Sequence, residues 1–410
     1  MKIVIIGAGP AGLMCAYMAS QNDKNKIILL DKNEKIGKKL FITGKGRCNI
    51  TNLCNKDEFL KNVVNNSKFL YSAISNFSPQ DTVEFFNKNG LKTTLERGNR
   101  IFPASEKSSD VIKTFQRLLK KQNIELCLNS NVKNAYYDGK QYVVCLDNKK
   151  LLCDALVVAT GGKSYPTTGS TGDGYKIAKG FSHLVVDPKP ALCPILLKDY
   201  DGALAGLSLK NVSVSIKIGN KKFTQFGEML FTHNGLSGPI ILTLSSFINN
   251  FDLQGTKLFI DLKPALDIKQ LENRLLRDFE TNKNKSIKNY LKELMPSSLI
   301  KLFAEKAHLQ LDAPINQITK SQRNDLITTL KGMEFTIKSL EKIDYAIVTS
   351  GGVSVKDIDP KTMESKFNKN LYFIGEVLDV DALTGGFNIQ IALATGHACG
   401  QHLSKLEGEK

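Results

Sequence analysis

Lys2-Ile3-Val4-Ile5-Ile6-Gly7-Ala8-Gly9-Pro10-Ala11-Gly12 decides how the rest of the chain is read. The first five residues are a short apolar run rich in β-branched side chains, which predicts a buried parallel strand. The run stops at Gly7-x-Gly9-x-x-Gly12 and passes into Leu13-Met14-Cys15-Ala16-Tyr17-Met18-Ala19, which reads as a helix. Each glycine then has a task. Gly7 allows the tight turn, Gly9 lets a pyrophosphate reach the backbone, and Gly12 lets helix and strand pack closely. The helix N-terminus adds free N–H groups and a partial positive charge. A second apolar strand, Ile27 to Leu30, ends on Asp31. That acid lies about 20 residues past the glycines, where a carboxylate can hold the ribose hydroxyls of a dinucleotide. A plain βαβ unit with packing glycines is the competing reading, and it leaves the position of Asp31 to chance.

The length of 410 residues allows two or three domains with a large core. No apolar run reaches the roughly 18 residues that a membrane span needs, and the sequence starts inside its first strand. Both points predict a soluble, cytoplasmic protein. The eight cysteines, including Cys15, Cys48 and Cys399, are scattered without a Cys-x-x-Cys pair or a cysteine–histidine cluster. Reduced thiols and no metal site are expected. The net charge of +16 has two readings. One is a polyanionic partner. The other is an AT-rich coding bias, because only seven of the 56 basic residues are arginines, at 47, 97, 100, 117, 274, 277 and 323. Lys283, Lys285, Lys288 and Lys292, with no acid between Asn282 and Lys292, are the local candidate for polyanion contact; a solvated helix face is the alternative.

Three distant segments are rich in glycine. Gly37-Lys38-Lys39-Leu40-Phe41-Ile42-Thr43-Gly44-Lys45-Gly46-Arg47-Cys48-Asn49-Ile50-Thr51-Asn52 suits a loop laid against a polar ligand, with Arg47 available to a phosphate. An apolar strand from Leu151 to Val158 runs into Ala159-Thr160-Gly161-Gly162-Lys163-Ser164-Tyr165, where the chain passes a sheet's carboxyl edge again. Near the end, Leu371 to Ile374 leads into Gly375-Glu376-Val377-Leu378-Asp379-Val380-Asp381-Ala382-Leu383-Thr384-Gly385-Gly386-Phe387-Asn388-Ile389-Gln390, then a helix over 391–403. That strand can bring carboxylates to a polyol, and the helix aims its positive end at the same place. Between these segments the pattern alternates from Pro188 to Pro264, which predicts antiparallel strands with one buried face, then turns helical to about Gly332. Only one Gly-x-Gly-x-x-Gly is present. A long, permanently held ligand such as FAD explains why so many glycine loops converge. The last helix would then stabilise the anion that two-electron reduction leaves on a flavin.

These segments, together with Leu230-Phe231-Thr232-His233-Asn234-Gly235-Leu236-Ser237-Gly238-Pro239, resemble the BaiN-type NAD(P)/FAD-dependent oxidoreductases, also described as the aminoacetone oxidase family. The resemblance runs the full length; Ala382 stands where relatives often have glycine. It implies an α/β fold: a glutathione-reductase-like FAD-binding Rossmann domain with an inserted antiparallel β-barrel domain that carries a small helical subdomain. The expected divisions are 1–188 and 348–410 for the FAD domain, 189–265 and 333–347 for the barrel, and 266–332 for the helical insert. Bound FAD is expected, with NAD(P)H as a transient reductant because no second nucleotide fold is visible. Gly7, Gly9, Pro10, Ala11, Gly12, Asp31 and Lys32 would hold its nucleotide end. Lys39, Gly44, Gly46, Arg47, Cys48, Asn49, Thr160, Gly161 and Gly162 would line its middle and ring. Gly375, Glu376, Asp379, Gly385, Gly386, Phe387, Asn388 and Ile389 would close the site from the last segment.

Members of that family are linked to reduction of conjugated C=C bonds in steroid enones, to oxidation of aminoacetone, and to reduction of a uridine in large ribosomal RNA. Three expectations follow. The first is a reductase passing hydride from flavin N5 to an activated C=C, with a proton from water or from a side chain, the candidates being Cys48, Tyr165, His233 and Asp381. The second is an amine oxidase using O2. The third is an RNA-binding flavoprotein whose flavin is structural or a sensor.

Overall fold

A run that is apolar on both faces suits a strand covered on both sides. In a computed structural model, which describes residues 1–122 and 124–406, Lys2–Ile6 is such a strand (β1), and its Ile3, Val4 and Ile5 have no solvent exposure. Pro10–Ala19 is the helix that follows (α1), with Pro10 at its first position, where the missing N–H costs nothing. Lys26–Leu30 (β2), Glu125–Cys127 (β3), Ala155–Val158 (β4) and Leu371–Phe373 (β5) join β1 in a parallel sheet of order β5–β4–β1–β2–β3. Ile6 stands beside Leu30 and Val158, and Val158 beside Phe373. Four strands therefore end on one edge, which is where ligands bind in such sheets.

The chain forms two compact units. One comprises Met1–Ala191 and the residues from Lys342 onward; the other is Leu192–Glu341. In the second unit, strands Ile195–Leu197, Ser208–Ile218, Lys221–Phe231, Gly235–Ser237, Lys257–Asp261 and Met333–Leu340 close into an antiparallel barrel. Val212, Val214 and Ile216 point inward at every second position, as the alternating pattern requires. Helices between Ile268 and Lys331 fill the sequence between its last two strands. The first of them opens with a reciprocal cap between Asp267 and Gln270.

Two strands differ from the sequence reading. The run from Leu151 to Val158 is two strands, Lys150–Cys153 and β4. Asp154 breaks it: its N–H donates to the Lys2 carbonyl and its carboxylate accepts the Lys2 N–H at 2.7 Å. Tyr345-Ala346-Ile347-Val348 also reads as a strand in sequence, but the chain there forms a short helical turn, Ile343–Tyr345, followed by the strand Val348–Val353. That strand pairs antiparallel with Val185–Ala191 inside the first unit.

The closing helix, Phe387–Lys405 (α2), starts four residues earlier than its apolar pattern suggests, because Gly386 is its N-cap. It lies against α1 at backbone distance. A Cβ on Gly396 would sit 2.3 Å from the Ala11 carbonyl oxygen, and one on Gly400 would sit 2.6 Å from that of Cys15. The Cys15 and Cys399 sulfurs approach to 3.7 Å within the same contact. Gly396→Val must push the two helices apart and should lower unfolding stability by about 2–4 kcal/mol. Urea denaturation monitored by far-UV circular dichroism measures this; an unchanged midpoint would contradict the close contact.

Candidate functional site

The turn after β1 has the shape its glycines imply. An added Cβ on Gly7 would meet the Ala159 carbonyl at 2.3 Å, and one on Gly12 the Gly7 carbonyl at 1.9 Å. Beside Gly9 there is nothing within 4 Å. Two glycines are thus needed for packing, and the third leaves open space at the N-terminus of α1. Asp31, at the end of β2, accepts the Ala8 N–H at 2.8 Å through one oxygen and the Asn33 N–H at 2.8 Å through the other. The carboxylate is held at the turn with acceptor capacity left over. Lys32 is occupied otherwise, by Asp173 at 2.6 Å and by the Thr171 hydroxyl.

One ammonium ties the three glycine-rich segments together. Lys39 Nζ donates to Ser164 Oγ at 2.7 Å and to both Glu376 oxygens at 2.8 and 2.9 Å. Glu376 Oε1 also accepts the Thr349 N–H at 3.0 Å. Thr349 Oγ1 in turn accepts the N–H groups of Lys163 and Ser164. Glu376, read as a partner for a polyol, is therefore the anchor of this network. Arg47, read as a phosphate partner, pairs with Glu96 and Glu106 and stacks over Phe102 at 4.3 Å.

The loop before Asn49 is held in unusual backbone conformations. Gly44, Lys45, Gly46 and Cys48 all have positive φ, and two of these residues carry side chains, for which that region is costly. Cys48 is fully buried, and burial pushes its thiol up to about 12, so it is protonated at neutral pH. Gly385 and Gly386 also have positive φ, and a Cβ on Gly386 would lie 2.6 Å from the Thr51 backbone. Asn52 Nδ2 reaches the Gly385 carbonyl at 3.2 Å. Asn388 clips its own turn, accepting from Ala382 N–H at 2.9 Å and donating to the Ala382 carbonyl at 2.7 Å. The first and last glycine segments are therefore in direct contact.

Asp381 is fully buried. One oxygen accepts from Asn65 Nδ2 at 2.6 Å, and the other has no partner among the described residues. Burial, opposed by the hydrogen bond from Asn65, raises its carboxyl to about 6. Asp379 is raised in the same direction, also by burial. Tyr165 is half-buried at positive φ, with its N–H bonded to the Asp344 carbonyl. His233 is an exposed residue after the barrel strand Lys221–Phe231, in the second unit.

These residues fit FAD on a structural ground. Among the described residues, buried oxygens without a hydrogen-bond partner include Asn49 Oδ1, Thr51 Oγ1, Thr160 Oγ1 and Asp381 Oδ2. All four lie on the three glycine-rich segments, where a long polar ligand would satisfy them. The N-termini of α1 and α2, neither with a side-chain cap among the described residues, add N–H donors for its phosphates and its ring. Sequence reading missed Thr349, Ser350 and Asn65, whose partners lie far away in the chain. Asn33 carried a signal, two residues past Asp31, where an amide side chain commonly folds back.

The profile of the HI0933-like protein Rossmann domain matches residues 1–402. A 3-dehydro-bile acid delta(4,6)-reductase of Clostridium scindens is 29% identical over 409 residues, with 98% of each chain covered. A ribosomal RNA dihydrouridine synthase of Haemophilus influenzae is 32% identical over 408 residues, again with 98% of each chain covered. The structure of 3-ketosteroid delta1-dehydrogenase from Sterolibacterium denitrificans superposes with a TM-score of 0.52 at 11% identity, covering 98% of this chain and 99% of that one, which shows a shared fold.

The Asp381 carboxyl has a folded pKa above its ordinary value. Its ionisation therefore destabilises the fold as pH rises from about 4 to about 6, and by a constant amount above that. Asp381→Asn removes this dependence. The stability difference between variant and parent, measured on flavin-free protein, should shift in the variant's favour by about 2–3 kcal/mol between pH 4 and pH 7. Urea titrations at both pH values test it, and a pH-independent difference would refute the buried ionisation.

Proposed function

Because this chain belongs to the HI0933-like family of FAD-binding Rossmann proteins and is a flavoprotein oxidoreductase, we propose that it catalyses NAD(P)H-dependent reduction of a carbon–carbon double bond conjugated to a carbonyl. The substrate class we favour is the uracil ring of a ribosomal RNA. A steroid enone and a uracil share the reacting unit, C=C next to C=O, so the names of both relatives fit one reaction. The net charge of +16 supports the polyanionic of the two.

FAD, when bound, would supply the redox chemistry between NAD(P)H and the carbon β to the carbonyl. The chain's residues do the rest. Asp31 and the open side of Gly9 hold the nucleotide end. The N-terminus of α2, turned inward by Gly385 and Gly386, stabilises negative charge at the ring end. The α-carbon needs a proton, and we assign it to the Cys48 thiol. That S–H lies on the strained loop Thr43–Cys48, and backbone strain of this kind concentrates at functional sites. Protonation from solvent restores the thiol, so the balance is one NAD(P)H and one proton per double bond. The observation that carries the reading is the convergence of three glycine-rich segments, with their unpaired oxygens, on the carboxyl edge of the sheet.

Anaerobic stopped-flow mixing tests the reaction. NADH or NADPH should bleach the flavin's visible absorbance. A uridine-containing ribosomal RNA fragment should restore it, with a matching gain of two hydrogens seen by mass spectrometry. If neither nucleotide bleaches the flavin, the reductase reading fails; steady peroxide release with a small amine would favour an oxidase instead. Cys48→Ala should slow the acceptor-dependent step by about 10²–10⁴-fold, the usual worth of a positioned acid. An equal loss in the reduction by NAD(P)H would mark Cys48 as a packing residue only.

A further inference from the structure

Arginine is scarce in this chain, yet four of the seven fall between residues 47 and 117. Guanidinium groups, unlike ammonium groups, grip phosphates in two-point geometry. Two of the four, Arg97 and Arg100, stand exposed on one short hairpin, Thr93–Glu96 paired with Arg100–Pro103. Neither has an acidic partner among the described residues; the Arg100 Nε–H donates to the Arg97 carbonyl at 2.9 Å. Arg47, by contrast, is neutralised by Glu96 and Glu106.

The hairpin is fastened to the candidate site at two points. Asn52 Nδ2 donates to the Gly98 carbonyl at 3.0 Å and to the Gly385 carbonyl at 3.2 Å, so one amide joins the tip to the turn before α2. Phe102 lies under Arg47, and a Cβ on Gly44 would be 3.4 Å from its ring, which joins the hairpin to the first glycine loop. The tip itself is a fixed turn, with Gly98 and Asn99 at positive φ and the Asn99 carbonyl accepting the Leu53 N–H at 2.7 Å. Past the base of the hairpin, a cleft of about 540 Å³ is lined by Lys92, Lys113 and Arg117, with Asp110 as its acid. The hairpin sets the arginine tip about 15 Å from this cleft, by the rise of a strand.

We propose that the 93–103 hairpin is the RNA grip of this protein: Arg97 and Arg100 bind backbone phosphates flanking a base presented to the flavin site. The proposal rests on the RNA-substrate reading above and adds where that RNA is held. A base must leave its stack to reach a buried ring, and phosphate contacts beside the opening hold the strand while it does so.

The test is a fluorescein-labelled RNA stem-loop with uridines in its loop, bound to flavin-loaded protein over a series of KCl concentrations and read by anisotropy. Arg97→Ala/Arg100→Ala should weaken binding by tenfold or more and make the slope of log K against log salt shallower by about 1.4, two single-strand phosphates' worth. Flavin content and melting temperature verify that the variant is folded, and Arg97→Lys/Arg100→Lys should restore the slope. Lys288→Ala/Lys292→Ala removes the same charge from an exposed helix of the second unit and should leave the slope near wild type. The proposal is overturned if the arginine variant binds like wild type, or if the lysine variant loses as much. If wild type binds the RNA and reduces its uridine while the arginine variant is unchanged, the hairpin assignment alone fails. If wild type reduces small enones but binds no RNA, the RNA-substrate reading fails and the hairpin assignment goes with it.

Discussion

Backbone contact between α1 and α2 is the constraint on which the first unit depends. The two helices come from opposite ends of the described chain and touch backbone to backbone at Gly396 and Gly400, which lie against the carbonyls of Ala11 and Cys15. Larger residues there would separate the helices by the width of a side chain. The turn before α2 would then move away from Thr51, and the glycine segments would no longer share one edge of the sheet. Close packing of this kind tolerates little change, since interiors are as dense as molecular crystals.

Within that frame the Lys39–Glu376 pair does a second job. It is partly buried, with each side chain about one-fifth exposed, and Ser164 and Thr349 satisfy its remaining hydrogen-bonding capacity. A pair with this much support specifies geometry more than it adds stability. It holds strands β4 and β5, through the turns that follow them, against the loop after β2. Asp381 sits at the opposite extreme, buried with one oxygen unpaired. An unpaired buried oxygen costs stability unless something occupies the place beside it. That contrast separates the part of the site that satisfies its own hydrogen bonds from a part that leaves an oxygen unsatisfied among the described residues.

The sequence made the fold legible where the signal was local. The glycine turn after β1, the terminal acid Asp31 and the alternation of the barrel strands needed no distant information. It was less clear where a single side chain overrides a pattern. Asp154 divides an apolar run that reads as one strand, because its carboxylate captures the Lys2 N–H. The basic cluster at Lys283–Lys292 looks unopposed in sequence, yet Lys285 pairs with Glu293 and Lys283 with Glu280, both just outside the stretch. The hydrogen bonds of Thr349 join residues about 185 positions apart. No spacing rule finds such partners, because they are set by tertiary packing and not by the period of a helix or strand.

The order of β5–β4–β1–β2–β3 has a consequence for biosynthesis. β1, β2, β3 and β4 leave the translating machinery first, but the edge strand β5 and the helix that covers α1 follow only after the whole barrel unit has been made. Throughout that interval α1 lacks its partner and exposes the nascent surface around Ala11 and Cys15 that α2 will cover. The flavin pocket is therefore the last thing to mature, and the uncovered intermediate is where a chaperone would be needed or aggregation would begin.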